Sequence, residues 1–173
     1  MPDLICLGKA LTGGFPLSAC VGRAEVMDAW PESSGEALHT STFLGNPLGC
    51  AMALASLQQH AEPALAALVR ERGAKLKSAL AALRSPHLGE VRGLGLMLGV
   101  ELIEPSTFPP QPATGLALAI IKHALRDGLL LLADSPTSNV LSLTPPFAIS
   151  DNEIAFTAAR FQEYLTLLPG SIS

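Results

Sequence analysis

Hydrophobic and polar positions divide the chain into three stretches of different character. In the first, two short stretches, residues 3–7 and 17–22, flank a glycine-rich turn. Short runs of strand formers bounded by glycine and proline read as strands. Ala24 to Trp30 reads as a short helix closed by Pro31, and Pro31 to Leu38 and His39 to Gly45 read as loops. The second stretch is helical. Asn46-Pro47 has the form of a helix start, with Asn46 as N-cap and Pro47 in the first turn. Alanine-rich sequence then runs to His60, and Glu62-Pro63 starts a second helix reaching about Arg84. Its residues Leu65, Leu68, Val69, Leu76, Leu80 and Leu83 recur mostly at helical spacing. Arg70, Arg72, Lys75 and Lys77 then form a solvated face. A domain change is expected along 46–84, where no parallel-sheet pattern occurs.

From Leu88 the period shifts again. Gly89 to Leu102 reads as two strands about a glycine bend. A strand follows the glycines where a dinucleotide fingerprint needs a helix, so a hairpin is the better reading. Pro105 to Pro112 reads as a loop and Ala113 to Arg126 as a helix stopped by Asp127-Gly128. Leu129–Ala133 and Val140–Leu143 are expected strands, and Ser150 or Asp151 caps a last helix reaching about Leu168. By pattern alone the fold is α/β or α+β, without an internal repeat.

Composition narrows the function classes. The 173 residues are 49% hydrophobic and 15% charged, which suits a globular chain with a sizeable core. Mean hydropathy of +0.38 points to more buried or interface surface than usual for this length. Net charge is -4 with no basic run, which gives nucleic-acid binding little support. No apolar run reaches membrane-span length, and no basic segment followed by an apolar one marks a signal peptide. Cys6, Cys20 and Cys50 are an odd set without Cys-x-x-Cys spacing. They are expected to be buried thiols of a reducing, cytoplasmic compartment rather than a disulfide frame. His39, His60, His87 and His123 are scattered, so no metal is expected.

The candidate chemistry begins at Lys9. A buried strand ending in Gly8-Lys9 would set one amine at the edge of a core, where desolvation favours the neutral, nucleophilic form. Such an amine forms Schiff bases with carbonyls. A lone lysine after a strand is more often a solvated charge. A second stretch changes the balance: His39-Thr40-Ser41-Thr42-Phe43-Leu44-Gly45-Asn46-Pro47-Leu48. With Gly8-Lys9-Ala10-Leu11-Thr12-Gly13-Gly14-Phe15-Pro16, in this order and about thirty residues apart, it resembles the class III pyridoxal-phosphate aminotransferases. These include the acetylornithine, ornithine and 4-aminobutyrate enzymes.

The resemblance implies a fold-type-I transferase, of which this chain is the C-terminal portion. Residues 1–60 would end the cofactor-binding large domain, 61–84 would be a connecting helix, and 85–173 a small C-terminal α/β domain. It implies pyridoxal 5'-phosphate as cofactor, with Lys9 its Schiff-base lysine and catalytic proton carrier. Thr42 would bond the cofactor phosphate across a homodimer interface, with Ser41 beside it. The implied reaction moves an amino group from an amine or ω-amino acid to a 2-oxo acid. Two departures stand out. The family's upstream acid, stacking aromatic and phosphate loop are missing, so Met1-Pro2 reads as the start of a truncated frame or a fragment. In Val140-Leu141-Ser142-Leu143-Thr144-Pro145-Pro146, Ser142 stands where many members carry a carboxylate-clamping arginine. The amine's carboxylate would then be remote or absent, or another group such as Arg92 would hold it. An aminomutase, racemase or phospholyase of the same family, and a non-catalytic remnant that only associates with a partner, are the alternatives.

Overall fold

The computed structural model describes residues 1–32, 34–35 and 42–166. The chain forms two compact units, Met1–Leu65 and Ala66–Ser173.

In the first unit, β1 (Leu4–Leu7) pairs antiparallel with β2 (Ala19–Gly22), in the register Leu4↔Gly22 to Leu7↔Ala19. The expected buried strand is not found: every residue of β1 is exposed. A two-stranded ribbon presents two faces and buries one only where another layer lies on it. A single 3-10 turn, Lys9–Leu11, follows β1. Helix α1 (Ala24–Met27) is shorter than the run to Trp30, and α2 (Pro47–His60) has the expected bounds. The Asn46 side chain accepts from the Leu48 and Gly49 amides at 3.0 and 3.2 Å. Pro47 has no amide to satisfy, so sequence chemistry alone sets this helix start.

Helix α3 (Pro63–Ala81) runs from the first unit into the second. The second unit holds an antiparallel sheet in the order β3 (Leu88–Leu94), β4 (Met97–Glu104), β7 (Val140–Leu143), β6 (Leu132–Asp134). A two-residue strand, β5 (Gln111–Pro112), pairs with β4 inside what the prolines mark as loop. Period-two burial on β4 puts Leu98, Val100 and Leu102 into the core. Helix α4 (Thr114–Arg126) brings Leu116, Ala117, Ile120 and Ala124, one stripe at helical spacing, to the same core. Leu76 and Leu80 of α3 and Phe161 of α5 (Asp151–Tyr164) complete it. Ser150 is the cap of α5: its hydroxyl accepts from the Glu153 amide at 3.2 Å, while Glu153 accepts from the Ser150 amide at 2.7 Å. Among the described residues no helix is long and apolar enough to cross a membrane, and no three metal-ligating side chains cluster.

Candidate functional site

Lys9 sits in the loop that joins β1 to β2. Its φ of +45° is left-handed, a conformation that residues with a Cβ adopt seldom. The turn closes through the Leu11 amide on the Gly8 carbonyl at 3.0 Å. Three further contacts fix the loop. The buried Thr12 hydroxyl donates to the Phe15 carbonyl. Ser56 of α2 donates to the Ala10 carbonyl at 3.3 Å. Phe15 packs against Gly49 so closely that a Cβ there would meet its ring at 3.1 Å. Lys9 is thus a strained residue in a braced loop, and its side chain is exposed rather than set in a core edge.

Thr42 begins the turn Thr42–Gly45 that leads into α2, and it is exposed. Gly45, at φ +67°, makes the left-handed step that the turn needs before Asn46. Because Asn46 occupies the Leu48 and Gly49 amides, the start of α2 keeps its dipole but not those two donors. Ser41 lies outside the described residues, as do His39 and Thr40.

The remaining candidates lie in the second unit, where they share a row of the sheet. Arg92 pairs with Gly99, Gly99 with Ser142, and Ser142 with Leu132. Directly opposed residues share a face. Arg92 and Ser142 accordingly line one cavity of about 360 Å³, with Gly93, Asp134, Ser135 and Thr144. Arg92 is committed to carboxylates on both sides, Glu90 at 3.3 Å and Glu101 at 3.2 Å. Ser142 donates to Asp134 at 3.3 Å. Sequence reasoning passed over Asp134, and its only local signal is the Asp-Ser-Pro turn behind β6. A second, apolar cavity of about 630 Å³ lies beside Ser142 and Thr144, lined by Leu76, Leu130, Leu132, Pro145 and Ile149 among others.

The cysteines correct another expectation. All three are exposed, not buried. Cys6 and Cys20 lie directly across from each other on β1 and β2.

Comparison with known proteins gives a consistent result. The family described as Aminotransferase class-III matches residues 1–165. An ethanolamine-phosphate phospho-lyase homolog of Caenorhabditis elegans is 35% identical over 172 residues, covering 97% of this chain and 36% of that protein. A 4-aminobutyrate aminotransferase of Escherichia coli (strain K12) is 39% identical over 156 residues, covering 88% of this chain and 35% of that protein. Among solved structures, a phospholyase from Arthrobacter in complex with phosphoethanolamine superposes with a TM-score of 0.84 at 30% identity. That match covers 98% of this chain and 40% of the other. The chain therefore spans little more than a third of the length of these relatives. It belongs to the class III aminotransferase family, and its mixed α/β fold is that of a portion of a pyridoxal-phosphate-dependent enzyme.

Proposed function

We propose that this class III aminotransferase chain carries the lysine and a phosphate contact of a pyridoxal-phosphate enzyme that transfers an amino group from an amine or ω-amino acid to a 2-oxo acid. The observation that carries the reading is Lys9 itself. It is an exposed primary amine held at φ +45° in a loop braced by Thr12, Ser56 and Gly49. Strained backbone that the surroundings over-determine is a mark of functional positions.

The donor set suits the cofactor. An aldehyde asks for an amine, which Lys9 offers, and a phosphate asks for uncharged donors as well as cations, which Thr42 offers. Ser41 is proposed beside Thr42. When bound, the cofactor supplies an electron sink for charge developing on the substrate carbon. The Nζ atom of Lys9, once free, takes the proton from the carbon that bears the amino group and returns it. A braced loop keeps that amine within reach and lowers the entropic cost of the transfer. We place residues 1–60 at the end of a cofactor-binding large domain, 61–84 in a connecting helix and 85–173 in a small C-terminal domain. A homodimer in the cytoplasm is the proposed working form, with Thr42 serving the neighbouring subunit.

A second reading, elimination of phosphate from a phosphorylated amine, is favoured by Ser142 and by the phospho-lyase relatives. Ser142 is neutral, and its hydroxyl donates to the Asp134 carboxylate. That surrounding suits a substrate without a carboxylate. Phosphate release from phosphoethanolamine without a 2-oxo acid would select this reading; 2-oxo-acid-dependent turnover would select transamination.

Cofactor trapping tests the common core of both. The chain is incubated with pyridoxal phosphate, reduced with borohydride and mapped by peptide mass spectrometry. A single adduct on Lys9, in preference to Lys75, Lys77 and Lys122, is expected. Scattered or absent labelling would show that this chain does not form the pocket by itself.

A further inference from the structure

Cys6 and Cys20 are matched partners in the β1–β2 register, and their Sγ atoms stand 4.0 Å apart. Both are exposed. Residues directly opposed in an antiparallel pair have Cα separations of about 4.5–5.5 Å. Disulfides bridge Cα separations of about 4.4–6.8 Å, so the backbone is already placed for one. Side-chain rotation has only to close the remaining gap of about 2 Å between the sulfurs. The next register pair, Leu7↔Ala19, is the last before the loop that carries Lys9. A bond at Cys6–Cys20 would therefore close the neck of that loop.

We propose that Cys6 and Cys20 are an oxidative modification site, forming a cross-strand disulfide by exchange with a low-molecular-weight disulfide such as oxidised glutathione. One cysteine thiolate attacks the small disulfide, forms a mixed disulfide and releases one small thiol. The second thiolate attacks the protein sulfur of that mixed disulfide and expels the other small thiol. Two protein thiols and one small disulfide become one protein disulfide and two small thiols. The protein loses two hydrogen atoms, and its two electrons pass to the small disulfide. Cys50, the third exposed cysteine, lies on α2 outside this register and has no such partner across a strand. The Cys20 thiol is held above the usual range, first by its hydrogen bond with Cys6. Because the thiolate is the attacking species, exchange accelerates as pH rises.

The test uses the full chain carrying Cys50→Ser, which keeps the third thiol out of the exchange. It is incubated with oxidised glutathione, free thiols are alkylated, and the chain is digested with trypsin. Cleavage after Lys9 and Arg23 separates the two cysteines. The expected product, from material that runs as a monomer without reductant, is the peptide ending at Lys9 linked to peptide 10–23. It weighs two hydrogen atoms less than the separate peptides and falls apart on reduction. Cys6→Ser and Cys20→Ser chains should instead retain glutathione on the remaining cysteine. Glutathione on both cysteines with no linked peptide, or linkage found only in covalent dimers, would overturn the proposal. Amide exchange over residues 8–18 should be at least threefold slower in the oxidised chain than in the reduced one. Equal exchange would overturn the closure of the loop neck.

Discussion

Arg92 and Ser142 face the same cavity from either side of Gly99, which is the register partner of both. The guanidinium is engaged by Glu90 and Glu101, and the hydroxyl by Asp134, so the row as it stands offers no free cation to a carboxylate. Replacing Ser142 by arginine should reverse this. A charge-assisted, two-pronged contact contributes about 1.5–3 kcal/mol. With part of that lost to Asp134, the preference of the whole enzyme for carboxylate-bearing over carboxylate-free amines should rise about tenfold. The ratio of the two kcat/KM values measures it. An unchanged ratio would detach this cavity from amine selection.

Lys9 holds a left-handed backbone without the freedom of glycine. The conformation costs a residue with a Cβ about 1–2 kcal/mol. Lys9→Gly should therefore be more stable than Lys9→Ala by about 1 kcal/mol, with both losing the amine. Urea unfolding of the two variants checks this. A more stable alanine variant would mean that the loop relaxes out of the left-handed region.

Gly73 of α3 meets the turn between β3 and β4 at backbone distance. A Cβ at this position would lie 2.1 Å from the Gly95 carbonyl oxygen, a backbone atom that moves only with the turn. Gly73→Ala should cost about 1–3 kcal/mol through overpacking. In contrast, Gly115→Ala, where a Cβ meets nothing within 4 Å, should be neutral or stabilising. Denaturant midpoints of the two variants make the comparison.

The capping box of α5 should give the fold an acid-sensitive element. The Ser150 amide and hydroxyl both donate to Glu153, each at 2.7 Å. They hold the carboxyl below its ordinary value, the backbone bond contributing most. A depressed carboxylate contributes its stability above the unfolded-state pKa of about 4.3 and loses it as pH falls through the lower folded value. Wild type should thus exceed Glu153→Gln in stability at neutral pH, and the gap should shrink below about pH 4. Ser150→Ala, which removes the cap, should cost about 1 kcal/mol. Thermal melts across pH 2–7 on the three chains read both effects. A gap that persisted at pH 2 would assign the Glu153 effect to something other than its charge.

Much of this protein was settled by chemistry that acts within a few residues. Asn46-Pro47 starts α2, and Ser150 with Glu153 starts α5, because each cap satisfies amides only two or three positions away. The stripe of Leu116, Ala117, Ile120 and Ala124 announces α4 and its buried face. The Lys9 and Thr42 segments mark the family because their spacing is carried by the chain itself. Contacts between distant positions were not legible in this way. Register put Cys6 opposite Cys20 and placed Arg92, Gly99 and Ser142 in one row, and no local signal specifies such partners. The exposure of Lys9 and of β1 depends on which layers cover a strand, and apolar composition alone predicts cover that a two-stranded ribbon does not supply. Sequence determined the longer helices, their caps and the family, because those follow from short-range bonding and periodicity. Only the tertiary structure decided which side chains meet and which stay exposed, because strand register and layer packing join residues far apart in the chain.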